Sequence, residues 1–73
     1  MTKFVLVLYL CSYVSGTCVP PYQAPGSYDN IYNCFLDGYK HSIDKLVELG
    51  KDTVNESQLF IRFTCREINV KTI

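Results

Sequence analysis

The hydrophobic pattern divides the chain into four stretches. Phe4 to Val14 is an almost unbroken apolar run, 17–29 is rich in turn residues, 31–49 has helical periodicity, and 58–73 alternates. The opening run follows Lys3 and ends in Val14-Ser15-Gly16. A positive start, a short apolar centre and a small-residue end are the three parts of a secretory signal peptide, so residues 1–16 are expected to be a leader cleaved after Gly16. A helix of that length rises only about 16 Å, too short to span a bilayer.

The second stretch carries Pro20-Pro21 and Ala24-Pro25-Gly26-Ser27. Prolines fix φ, and Pro-Gly is a turn signal, so 17–29 is expected to be an irregular exposed arm. Tyr22, Tyr28 and Tyr32 lie along it and just beyond. Rigid aromatic side chains on a stiff segment suit recognition at low entropic penalty, which makes these three tyrosines the candidate partner-binding residues.

Stepping 100° per residue gathers Ile31, Tyr32, Phe35, Leu36, Tyr39, Ile43, Leu46, Val47 and Leu49 into one arc. Asn33, Asp37, Lys40, His41, Asp44, Lys45 and Glu48 fall opposite. An amphipathic helix over about 30–49 is predicted, capped by Ser27, Asp29 or Asn30 and closed by Gly50. Its apolar arc is expected to face the core, and Gly38 is its one interior weakness. Lys51 to Ser57 is expected to be a polar loop. Asn55-Glu56-Ser57 within it is an N-glycosylation acceptor, which marks Asn55.

From Gln58 to Ile73 the apolar positions switch phase. Leu59, Ile61, Phe63 and Cys65 are odd, whereas Ile68 and Val70 are even. A bulge or bend near Arg66-Glu67 would restore one buried face, so two short strands are expected. The fold class is therefore α+β: one helix on a small two-stranded element, stapled by disulfide, in a single domain of 17–73.

Loss of residues 1–16 would remove Cys11 and leave Cys18, Cys34 and Cys65. Three cysteines make one internal bridge. Cys34 with Cys65 is the preferred pairing, with Cys18 as a spare thiol or as the link in a disulfide-bonded homodimer.

Charge then narrows the functional classes. Six basic and seven acidic residues in 17–73 leave a net charge of −1. That balance disfavours nucleic acid, and it argues against a membrane surface as the partner. His41 is the only histidine, and Asp37 one turn earlier is its expected neighbour. No cysteine pair has metal-ligand spacing, and no phosphate loop or nucleophile elbow occurs. The expectation is an extracellular, non-enzymatic protein without cofactor or metal, acting on an extracellular protein through the Tyr/Pro arm or an open strand edge. Two alternatives are a membrane-active or host-defence peptide using the amphipathic helix, and a short isoform or fragment of a longer disulfide-rich domain. In composition alone the chain is similar to small secreted venom, salivary and reproductive-tract proteins, a likeness that carries no family function.

Overall fold

The computed structural model describes residues 2–69. Strand β1 spans Thr2–Ser12, β2 is the pair Tyr22–Gln23, helix α1 spans Ile31–Leu49, helix α2 spans Lys51–Ser57, and β3 spans Leu59–Asn69. The fold is small α+β. One main helix lies on a three-stranded antiparallel sheet of order β2-β1-β3.

The segment with the composition of a leader is the middle strand of this sheet. An apolar run bounded by turn residues suits a strand buried on both faces as well as a hydrophobic leader centre. Phe4, Leu6 and Leu8 belong to the helix-side cluster, and Leu6 is fully buried at its centre with Cys34 and Ala24. Val5, Val7 and Cys11 are buried too, from the alternate positions of the same strand.

β1 pairs with β3 in unbroken register from Thr2↔Asn69 to Ser12↔Leu59. The expected bulge near Arg66-Glu67 is absent, and β3 is one strand. Its phase change has a simple physical basis. The helix-side cluster takes in Phe63 and Cys65, whereas Ile68 sits across from Lys3 on the opposite face and is exposed. Val70 and Thr72 lie outside the described residues.

The expected irregular arm is tied along the free edge of β1. Val19 N–H donates to Leu10 O, Ala24 N–H to Leu6 O, and Phe4 and Tyr28 exchange both backbone bonds, all at 2.8–2.9 Å. Pro20, Pro21 and Pro25 lack the N–H a regular ladder needs, so the pairing is intermittent. Only Val7↔Gln23 and Leu8↔Tyr22 form a named strand pair. A turn over 13–16 brings the arm back, with Ser12 N–H bonded to Thr17 O at 3.0 Å and Gly16 at φ 71°. That turn sets Cys18 beside Cys11, and the two form a disulfide.

α1 starts at Asn30, whose side-chain oxygen accepts from Asn33 N–H at 2.9 Å. It stops at Gly50, whose φ of 89° turns the chain and whose N–H returns to Leu46 O. The next segment is a second helix and not the expected loop. Gly50 O accepts from Val54 N–H at 3.0 Å, Asp52 favours the first turn, and Gln58 ends α2 in a left-handed conformation. Ser12 Oγ donates to Ser57 O, and Tyr13 N–H donates to Gln58 O, so the end of α2 is fastened to the end of β1.

Candidate functional site

Two surfaces depend on how α1 is rotated about its own axis. Cys34 and Gly38, one turn apart, are its buried residues. Cys34 is joined to Cys65 on β3, and the Phe63 ring lies directly against Gly38. Ser42 continues the line, its hydroxyl donating back to Gly38 O at 2.7 Å. The sheet-facing direction therefore runs through Cys34 and Gly38, roughly 100° from the middle of the apolar arc on a helical wheel.

That rotation corrects the expectation that the apolar arc meets the core. Tyr32, Leu36, Tyr39, Ile43 and Val47 form an exposed stripe, with Val47 74% exposed. Their spacing of four, three, four and four residues keeps them on one side of the helix. The physical reason for the inversion is steric and covalent. Small residues let α1 approach the sheet closely, and the disulfide holds it there, whereas Tyr39 and Phe35 reach only the flank of Phe63, with ring centroids at 4.9 and 6.3 Å.

The same rotation swings part of the polar arc over the sheet. His41 and Lys45 overhang a groove of about 430 Å³ floored by Leu8, Leu10 and Ile61 and walled by Val19, Pro20 and Tyr22 of the arm. Among the described residues no acidic side chain lines it. Lys45 is 3.6 Å from Glu48, a loose and exposed pair.

The three tyrosines do not form a single surface. Tyr22 lines the groove and Tyr32 belongs to the exposed stripe. Tyr28 is half-buried: its hydroxyl donates to Asp37 Oδ2 at 2.8 Å, tying the arm to α1. Desolvation raises the Tyr28 pKa above 10.0, and the hydrogen bond and negative charge of Asp37 raise it further. Asp37, expected beside His41, has Tyr28 as its hydrogen-bonding partner. Lys3 pairs with Asp29 at the same end of the sheet.

The cysteine arithmetic also changes in the full chain. Cys18, expected to be spare, is bonded to Cys11, and no free cysteine exists among the described residues. A disulfide-linked homodimer has no thiol to use while Cys11 is present. Asn55 is exposed, but on α2. Among the described residues no group of three or more His, Cys, Asp or Glu converges on a point, and no helix is long and apolar enough to cross a membrane.

The signal for the groove and stripe was present in the chain but ambiguous. Gly38 marked a close approach, and Cys34 outside the apolar arc marked the true inner face. No family model, curated protein or solved structure matches the chain.

Proposed function

We propose that this is a secreted, non-enzymatic binding protein whose helix α1 seats its outward stripe in an apolar cleft of an extracellular protein. The observation that carries this reading is the unburied row Tyr32, Leu36, Tyr39, Ile43 and Val47. A chain this small has little apolar area to spare, and leaving so much of it outside the core is unfavourable in water unless a partner covers it. Helix-in-groove recognition uses anchors at this spacing. The exposed aromatic pair Tyr32 and Tyr39 are the residue type that dominates interface energetics. Two disulfides in so short a chain suit an oxidising compartment.

The test is capture from extracellular fluid with the oxidised chain carrying a photo-crosslinker in place of Tyr39. The reading expects one protein to crosslink through α1 and to be lost with Ile43→Asp. Equal recovery with that variant, or crosslinks confined to the background, overturns it.

A second mode rests on β3, which among the described residues pairs only with β1 and presents an open outer edge. Strand addition there would engage the partner through the backbone. Crosslinks falling on β3 and sparing α1 would favour it.

A further inference from the structure

We propose that the groove beneath the C-terminal half of α1 binds a small amphipathic carboxylate, an aliphatic acid with a chain of about ten carbons. This inference is independent of the partner proposed for the outward stripe. Three observations carry it.

The first is chemistry. Leu8, Leu10 and Ile61 supply an apolar floor, and Tyr22 and Pro20 supply an apolar wall. His41 and Lys45 are the groove's polar heads at the helix side, with no carboxylate among the lining residues to repel an incoming anion there. An apolar body with one negative end complements that arrangement, whereas a neutral or cationic head makes no charge contact with the Lys45 ammonium.

The second is shape. Sheet, arm and helix enclose the groove from three directions, and about 430 Å³ accommodates roughly ten methylene-sized groups and a head, if each fills about the volume of one liquid water. Small-molecule sites fall in this range of volume.

The third is placement. His41 and Lys45 are one turn apart on α1, so both reach the same end of a bound chain. Lys45 is held only by its loose pairing with Glu48, which a ligand carboxylate can displace.

The experiment uses the full oxidised chain and decanoate below its micelle concentration, followed by heteronuclear NMR. Decanoate is expected to shift resonances of Leu8, Ile61, His41 and Lys45 saturably. Decanol and decylammonium should bind more weakly, and acetate should not bind. Lys45→Gln should weaken decanoate by about fivefold, the size of an exposed charge contact, and leave decanol unchanged. Glu48→Gln should strengthen decanoate by freeing Lys45. Both positions are exposed, so these variants keep the fold. Equal binding of decanol and decanoate, indifference to Lys45→Gln, or shifts confined to Tyr32, Leu36 and Ile43 each overturn the proposal. Binding of a peptide with an apolar C-terminal residue, without binding of decanoate, overturns it as well.

Discussion

Gly38 and Phe63 occupy one site between them: a Cβ at position 38 would stand 2.8 Å from Phe63 Cζ and closer still to two other ring carbons. In an exposed helix, Gly38→Ala would gain about 1 kcal/mol from helix propensity. Here the ring is held between Gly38 and the flanking Phe35 and Tyr39, so the added methyl displaces it. The expected net result is a loss of about 1–3 kcal/mol in urea denaturation. In Phe63→Leu the same Gly38→Ala change should cost less, and a double-mutant cycle reads that coupling directly. Additive effects would remove the close approach as the reason for glycine.

The bond from Cys34 to Cys65 spans 31 positions and holds the inner face of α1 to β3. Replacing both cysteines by alanine should lower stability by about 3–4 kcal/mol through chain entropy in the unfolded state. The Cys11 to Cys18 bond closes a loop of separation 7, so removing it should lower stability by only about 2–3 kcal/mol. Loss of the first bond should also free α1 to turn its apolar arc inward. Quenching of tyrosine fluorescence by iodide would report that as reduced exposure of Tyr32 and Tyr39.

Tyr28 and Asp37 link stability to alkaline pH. The folded state raises the Tyr28 pKa, so it holds the phenolic proton more tightly than the unfolded chain does. The resulting stabilisation is full below pH 10 and falls as pH rises through the raised folded value. Tyr28→Phe should lower stability by about 1 kcal/mol at neutral pH by removing the hydrogen bond, and should flatten the decline above pH 10. Unfolding free energies measured from pH 8 upward check both halves of this. An unchanged alkaline slope in the phenylalanine variant would show that Tyr28 is not its source.

β1 contributes Leu6, the only fully buried large aliphatic side chain among the described residues. Leu6→Ala should cost about 2–5 kcal/mol, a large share of what a domain this small can possess. A chain beginning at Thr17 loses the middle of the sheet, so β3 has no partner and Cys18 no mate. It should show no cooperative thermal transition by circular dichroism, and Cys18 should react with a thiol reagent. A cooperative, thiol-blocked truncated chain would contradict the central role of β1.

The limits of α1 were legible because they are written locally. Asn30 caps a chain that has begun to coil, Gly50 turns one that must stop, and neither needs a distant partner. Its rotation was not legible from the apolar arc, because Cys65 and Phe63 set it from across the sheet. Gly38 looked like a weakness in the helix; it is the point of closest approach. The first apolar run was ambiguous for a related reason: length and hydrophobicity describe a leader and a doubly buried strand equally well, and in the full chain the run is the strand that pairs with β3. The phase change at Arg66-Glu67 invited a bulge because one continuous buried face was expected along the whole segment. α1 covers the part around Phe63 and Cys65, and Ile68 can face the other way without penalty from it. The groove escaped notice because its floor, wall and rim come from four separate stretches of chain.

The Cys11 to Cys18 bond encloses the Gly16-Thr17 peptide, the expected cleavage point, in an exposed turn. A protease that cuts there after oxidation opens the loop without releasing anything. The product is two polypeptides, with β1 still threaded through the sheet and still covalently attached. A protease that cuts before oxidation sends β1 and Cys11 away and leaves a different molecule. Cutting at that peptide would therefore give one of two products that differ in free thiols, one of them with two extra chain termini, and the order of cutting and oxidation would choose between them.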